Sequence, residues 1–472
     1  MRKTKIISTL GPATESPAVL RELITAGVNV FRLNMSHAAH DWVRGIIPVI
    51  RDISAELGRP VAILMDTQGP AIRTGDLPNK LDLKIGDTFT FTVRGHVSVE
   101  ERSVDTNYDS LVEDIKVGDI VLVDNGVIEM VVKEKRNQEL VCEVLTPGVM
   151  GSRRHINLPG IKVKLPALTE KDLGDLKVGA EMGVDIVALS FVREANDVSL
   201  LRQVLAAEGR PDTLIVAKIE DQSAVHNISE IISEADGIMV ARGDLGIEWP
   251  YEELPIVQRN IINACLNAGK PVIVATHMLE SMIHHPLPTR AEITDVANAV
   301  FERADAIMLS GETTVGLYPV KCVQVLDKVA SRIEKNLSTE YHSTLTLTQR
   351  REHAAAAAVH LANETQADGL LIFTHSGLNA KLCATLRPTC STIFAVTPNL
   401  ELARRLCLSY AIYPLVMSFD KNHLVNIDLA RNLMLKQNLL PEGSKLVVLT
   451  DQVTHENRYW TVQLRTLHYY QH

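Results

Sequence analysis

The stretch Leu214-Ile215-Val216-Ala217-Lys218-Ile219-Glu220, followed after a charged interval by Gly237-Ile238-Met239-Val240-Ala241-Arg242-Gly243-Asp244, decides how this chain folds. Each half is a short, unbroken apolar run that ends in charged residues. A strand covered on one face alternates apolar and polar residues; a run that is apolar throughout suits a parallel strand covered on both. Working outward, similar runs stand at residues 4–10, 28–34, 61–66, 185–190, 271–275 and 306–309, which makes eight in all. Helix-like amphipathic segments such as 16–26, 41–57, 195–207 and 251–268 lie between most of them. Eight strand–helix units predict a TIM (β/α)8 barrel rather than an open sheet.

Between Asp66 and Asp185 the rhythm changes to short alternating segments at 88–93, 120–124, 127–132 and 140–145. Gly86, Gly118, Asp124-Asn125-Gly126 and Pro147-Gly148 punctuate them. This predicts a small antiparallel β domain with hairpins, inserted after the third barrel strand. A helix-like segment at 170–183 resumes the barrel. The polar, threonine-rich stretch 341–350 reads as a linker. Helices at 352–364, 379–386 and 400–409, an amphipathic segment at 426–438, and strands at 369–373, 392–396, 445–450 and 459–467 then predict an open-sheet α/β domain. The expected boundaries are 1–69 and 167–340 for the barrel, 70–166 for the insert and 341–472 for the C-terminal domain.

With 472 residues, the length suggests about three domains at roughly 150 residues each. The chain is 46% hydrophobic with a net charge of −9, which excludes disorder as its main state. A balance of 48 basic against 57 acidic residues argues against a general polyanion binder, and 4% aromatics against base-stacking platforms, so no nucleic-acid partner is expected. Cys142, Cys265, Cys322, Cys383, Cys390 and Cys407 show no C-x-x-C spacing and read as reduced, mostly buried thiols. The opening apolar run stops at Gly11-Pro12, too early for a secretory leader, and no stretch approaches the ~20 apolar residues of a membrane span. The expectation is a soluble, cytoplasmic protein.

Catalytic residues of such barrels sit where strands end and loops begin. The second run gives Arg32, Asn34 and Ser36, on one face if the backbone stays extended. The third gives Asp66 and Thr67, then Arg73; the fourth ends at Ser190. The fifth gives Lys218 and Glu220, the sixth Arg242-Gly243-Asp244, the seventh Thr276 and the eighth Ser310 and Glu312. Each has a plainer reading: Lys218 and Glu220 as a structural ion pair, Asp244 as a helix cap, Arg32 as a buried partner of Asp66. Their recurrence at the same end of successive strands argues for one shared site. Glu220 and Asp244 are hard oxygen donors without nearby His or Cys, which favours Mg²⁺ or Mn²⁺ over zinc. Arg32, Arg73 and Lys218 suit phosphoryl oxygens, and the N–H groups of Gly243 and Asp244 suit an anion. Together they describe phosphoryl transfer or enolate chemistry. There is no Walker A motif and no G-x-G-x-x-G.

At these residues the sequence resembles the pyruvate kinase family. The resemblance is carried by residues 5–12, Arg32-Leu33-Asn34-Met35-Ser36-His37, residues 66–74, Asn157-Leu158-Pro159-Gly160, Ala217-Lys218-Ile219-Glu220, residues 239–246, residues 288–292 and Met308-Leu309-Ser310-Gly311-Glu312-Thr313. It implies Mg²⁺-dependent phosphoryl transfer from phosphoenolpyruvate to ADP, the last step of glycolysis, and a homotetramer. Arg32 would contact the phosphoryl group and Lys218 would stabilise charge on it and on the enolate. Glu220 and Asp244 would hold the divalent ion, Gly243, Asp244 and Thr276 would position substrate, and Thr276 would lie near the proton path. Arg73 and Arg154 would reach the nucleotide phosphates. Asn34, Ser36, Asp66 and Thr67 would form a K⁺ site. The insert would be a small β-barrel lid over the nucleotide.

Some residues depart from the family pattern. Ala38 replaces the usual Gly after Ser-His, His277 the usual Gln after Thr276, and Arg154 a Lys. Ala71 matches neither the Glu of K⁺-requiring relatives nor the Lys of K⁺-independent ones. In the third domain, Thr374, Ser376, Gly377 and Asn379 form a strand–loop–helix that is either an ordinary capped helix or, as the resemblance implies, a site for a sugar-phosphate or nucleotide effector. The segment 453–461 departs from the family's effector loop. The competing readings are a Mg²⁺-dependent lyase or aldolase acting on a pyruvate enolate, and a catalytically silent metabolite sensor; an aldolase needs no nucleotide clamp such as Arg73 and Arg154.

Overall fold

The computed structural model describes residues 1–161, 163–337, 347–389, 391–453 and 458–469. Most of the 341–350 stretch and part of 453–461 therefore lie outside the described residues, as does Cys390. Strands β1 (Lys5–Thr9), β2 (Val30–Asn34) and β3 (Ala62–Asp66) begin a barrel. The chain then leaves it for β4 (Ile72–Arg73), β5 (Leu81–Leu83), β6 (Thr88–Thr92), β7 (Ser103–Asp105), β8 (Ile120–Val123), β9 (Ile128–Arg136), β10 (Glu139–Val144), β11 (Gly148–Met150) and β12 (His155–Asn157). It returns as β13 (Ile186–Leu189), β14 (Leu214–Ile219), β15 (Gly237–Ala241), β16 (Val272–Ala275) and β17 (Ala306–Leu309). Pairing in the order β1-β17-β16-β15-β14-β13-β3-β2 closes an eight-stranded parallel barrel.

Two apolar layers explain the unbroken runs. Val30, Ala62, Leu64, Val216, Met239 and Ile273 pack together inside the barrel, while Phe31, Leu33, Ile63, Ile215, Ala217 and Ile238 pack outward under the helices. Side chains alternate with period two. Arg32 and Asn34 thus share the inward parity of Val30, Asp66 that of Leu64, and Lys218 that of Val216. The strand period itself delivers these charged groups to the barrel axis, beyond the last apolar layer.

The insert holds a seven-stranded sheet, ordered β4-β12-β8-β9-β10-β6-β7, and a two-stranded one, β11-β5. A bridge between Thr74 and Thr106 brings its outer strands together again, so the sheet curls on itself. The expectation of an antiparallel domain is corrected at one pair: β6 and β7 run parallel, because the chain between them crosses over rather than turning in a hairpin. The C-terminal sheet is β18 (Gly369–Phe373), β19 (Thr392–Thr397), β20 (Ile412–Val416), β21 (Lys445–Val453) and β22 (Arg458–Thr466), ordered β20-β19-β18-β21-β22. It is parallel except for β22. The edge strand β20 was not expected, since Pro414 interrupts its apolar run; an edge is where a strand tolerates proline. The helix expected at 251–268 starts at Leu254, and those expected at 400–409 and 426–438 are Leu400–Leu406 and His423–Lys436. The five described cysteines are free and buried. No helix among the described residues is long and apolar enough to cross a membrane.

Candidate active site

A cavity of about 320 Å³ opens at the carboxyl ends of the barrel strands, with the insert as its far wall. Arg32, Asn34, Ser36, Thr67, Ser190, Lys218, Glu220 and Asp244 line it from the barrel, and Arg73, Arg154 and His155 from the insert. Asp66, Gly243 and Thr276 stand behind this wall rather than on it. Ser36 was expected on the extended face of β2; the strand stops at Asn34, and Ser36 lies in a turn whose Ser36 N–H donates to Asn34 Oδ1 at 3.2 Å. Gly243 and Asp244 were expected just ahead of a helix and instead occupy the first turn of helix Arg242–Glu248.

Lys218 is the electrostatic centre. Its ammonium lies 2.8 Å from Glu220 Oε1 and 3.1 Å from Asp66 Oδ1, and donates to Ser190 Oγ at 2.7 Å. Asp66 is 1% exposed and turns its other oxygen to Arg32 Nε at 2.6 Å, while Arg32 Nη1 donates to Thr9 Oγ1 at 3.1 Å. The two ion pairs read from sequence as plain alternatives thus both exist, and they sit inside the site. Asp66 spaces the two cations and fixes their geometry. Burial opposes charge on Lys218, but Asp66 and Glu220 outweigh it and hold the ammonium above the usual lysine range. Burial likewise opposes charge on Asp66, and Arg32 and Lys218 outweigh it, keeping that carboxyl below its usual range. Glu220 differs: burial pushes it up to about 7, with Lys218 pulling down and Asp244 pushing up.

Loop geometry around these groups is tight. Gly69 has φ 71°, and a Cβ there would meet Ser190 Cβ at 2.8 Å, so the turn after β3 approaches Ser190 as only glycine allows. Phe191 at φ 52° aims its N–H at Glu220 Oε2, 2.6 Å away. Thr276, β-branched yet at φ 67°, is held by Gly243 N–H donating to its Oγ1 at 2.7 Å and by its own hydroxyl donating to Ala275 O at 2.6 Å. Such conformations cost of order 1–3 kcal/mol and persist where surrounding structure over-determines them. Arg242 fastens the same corner, donating to Asp295 Oδ1 at 2.7 Å and Thr276 O at 2.6 Å. Glu312 accepts from Leu279 N–H and Ser310 N–H at 2.9 and 2.7 Å, tying the loops after β16 and β17.

On the insert side, Arg73, Arg153 and Arg154 all line the cavity, and Arg153 is ion-paired with Asp76. Arg154 Nη1 donates to Asp124 Oδ1 at 3.1 Å, and its buried Nε has no partner among the described residues. Sequence reasoning missed His155, which faces the cavity beside Arg154 with its pKa lowered, first by burial. It also passed over the bridging role of Ser190. His155 stands opposite Arg73 where β12 pairs with β4, a juxtaposition visible only once the insert is known to fold over the mouth. In the C-terminal domain, Thr374, Ser376 and Asn379 line a cavity of about 520 Å³. Gly377 stands behind it at φ 81°, its N–H donating to Thr374 Oγ1 at 2.8 Å.

The family profile for the pyruvate kinase barrel domain matches residues 1–323, and that for the pyruvate kinase alpha/beta domain matches 352–459. The chain belongs to the pyruvate kinase family. It is 43% identical over 425 residues to the pyruvate kinase of Sporosarcina psychrophila, covering 88% of this chain and 72% of that one. With the pyruvate kinase of Clostridium perfringens it shares 40% identity over 455 residues, 95% of this chain and 96% of that one. With pyruvate kinase isozyme G, chloroplastic, of Nicotiana tabacum it shares 41% over 452 residues, 95% and 80% of the two chains. As an enzyme of this family it presents carboxylates and cations at one barrel mouth. The donor set fits a divalent ion: Glu220 and Asp244 face one cavity, and Asp244 raises the cost of charge on buried Glu220, a repulsion that a bound cation relieves. Two carboxylates, with substrate and water completing the shell, suit Mg²⁺.

Proposed function

We propose that the chain transfers the phosphoryl group of phosphoenolpyruvate to ADP, giving pyruvate and ATP, at the mouth of its barrel. The observation that carries this reading is Lys218, charged and fixed between Asp66, Glu220 and Ser190 in a cavity shared with Arg32 and faced by arginines of the insert. Arg32, oriented by Asp66 and Thr9, binds the phosphoryl oxygens. Lys218 stabilises the charge that develops on the moving phosphoryl group and on the enolate left behind, without reorganising during the step. Glu220 and Asp244 would hold Mg²⁺ or Mn²⁺, which when bound would supply Lewis-acid charge to the site. Thr276 fixes Gly243, and with it the helix turn that carries Asp244, beside the path by which a proton reaches the enol carbon.

Arg73 and Arg154 bind the nucleotide phosphates, and the insert, taken as residues 70–166, acts as the lid that excludes water. A lyase or aldolase working on the same enolate has no use for this second arginine wall. Asn34, Ser36 and Thr67 face the cavity and, with Asp66 behind them, supply oxygens for K⁺. The C-terminal cavity with Thr374, Ser376 and Asn379 takes a phosphorylated effector. Pyruvate formation is to be measured from phosphoenolpyruvate with ADP and Mg²⁺ and with each omitted. The expected result is formation only in the complete mixture. Formation without ADP would favour the lyase, and none in any mixture the silent sensor.

A further inference from the structure

The seam between insert and barrel contains a contact that none of these roles uses. Asn157 ends β12, the insert strand that follows Arg154 and begins with His155. Glu248 ends the helix whose first turn holds Gly243 and Asp244. Both are buried, at 5% and 8% exposure. Asn157 Nδ2 donates to Glu248 Oε1 at 3.4 Å, and Asn157 Oδ1, also buried, has no partner among the described residues. A small cavity of about 60 Å³ lies beside them.

We propose that Asn157 and Glu248 form a latch that holds the nucleotide-side strand of the insert against the helix carrying Asp244, making both positioning residues for phosphoryl transfer. This rests on the reading of the insert as a lid over nucleotide. The orphaned oxygen marks a place where this contact can take a second hydrogen bond. A primary amide and a neutral carboxylic acid pair through two hydrogen bonds, amide N–H to acid carbonyl and acid O–H to amide oxygen. An ionised carboxylate makes only the first and leaves the amide oxygen unpaired, at a cost.

The surroundings favour the neutral acid. Burial and Asp221 push the Glu248 carboxyl up to about 7, with Asn157 pulling down and Asp244 adding a further push. Glu220 and Asp221 after β14, Arg193 in the loop after β13 and His155 of β12 line the small cavity beside it. If opening the seam returns Glu248 to its ordinary value of 4.5, closure takes up a proton between pH 4.5 and 7. The penalty on closure is absent below pH 4.5, grows as pH rises to 7, and is constant above it.

Isosteric variants test this without creating holes. Glu248→Gln keeps an N–H donor facing Asn157 Oδ1, so its KM for ADP should equal that of the wild type at low pH and lack the rise toward pH 7. Asn157→Asp puts two acids face to face and should raise the KM for ADP at pH 7.5 by about tenfold, with kcat and the KM for phosphoenolpyruvate little changed. The exchange Asn157→Asp with Glu248→Gln restores an acid–amide pair and should return the KM for ADP to within roughly threefold of wild type. Amide hydrogen exchange at residues 155–157 should speed up in Asn157→Asp and slow again in the exchanged pair. A pair as impaired as Asn157→Asp, a Glu248→Gln variant equally impaired, or unaltered exchange in Asn157→Asp would overturn the latch. Absence of pyruvate formation by the wild type would instead overturn the underlying activity, with the exchange rates still deciding the latch.

Discussion

At the scale of single residues, the account turns on how few side chains share so much charge. Asp66 serves Arg32 and Lys218 at once, and Glu220 serves Lys218 while facing Asp244. The residue types at the strand ends were legible because each closes an unbroken apolar run. The sharing was not, since which carboxylate stands between which cations depends on barrel closure and not on spacing along one strand. Glu220→Gln and Asp244→Asn should each raise the Mg²⁺ concentration for half-maximal rate by at least about tenfold, read from rate against Mg²⁺; unchanged dependence in both would move the ion elsewhere. Ala71 lines the same cavity as Asn34, Ser36 and Thr67 and brings no charge of its own. K⁺ should therefore raise the initial rate over a bulky organic cation at matched ionic strength, and Ala71→Lys should shrink that difference. Equal rates in the two cations would show that these oxygens do not use the ion.

At the scale of elements, the eight barrel strands could be read because burial on both faces makes their runs largely apolar. β20 escaped notice because Pro414 breaks that signal, and the parallel pairing of β6 and β7 because β7, three residues long, is too short to leave a pattern. The turn at Ser36 escaped for a related reason: i, i+2, i+4 spacing describes a face only while the strand continues. Packing between elements makes its own prediction. A Cβ at Gly369 would lie 2.8 Å from the Phe394 ring and 2.9 Å from Leu446 Cδ2, so β18 meets its neighbours with no room to spare. Gly369→Ala should lower stability by about 1–3 kcal/mol, seen as a lower midpoint in thermal or urea unfolding, with the kcat of the folded enzyme unchanged. An unchanged midpoint would mean that the sheet shifts to accept the methyl group.

At the scale of the whole molecule, the barrel has two ends with different duties. Its mouth carries the proposed active site. Its base is sealed by the C-terminal domain, where Arg387 pairs with Asp305 at 2.7–2.9 Å and Cys407 and Leu408 join the inner barrel cluster. Lys5 lies in this seam, its Nζ donating to Ile412 O at 2.5 Å. Burial, aided by Arg2 and Arg59, brings its pKa down to about 7. A lysine depressed from 10.5 to 7 contributes full stability only above 10.5, loses it as pH falls toward 7, and stays penalised below. Lys5→Met should therefore melt higher than the wild type at pH 7, and the gap should narrow as pH rises toward 10.5; a gap independent of pH would contradict the assignment. The central claim remains the role of Lys218 in phosphoryl transfer, and it is tested most directly by following pyruvate and ATP together in the wild type and Lys218→Met at equal concentrations of folded enzyme. The account predicts equimolar pyruvate and ATP from the wild type, and a variant with unchanged circular dichroism slowed by roughly 10²–10³-fold or more, as expected when a transition-state charge loses its partner. A variant that turns over at a near-normal rate would contradict it.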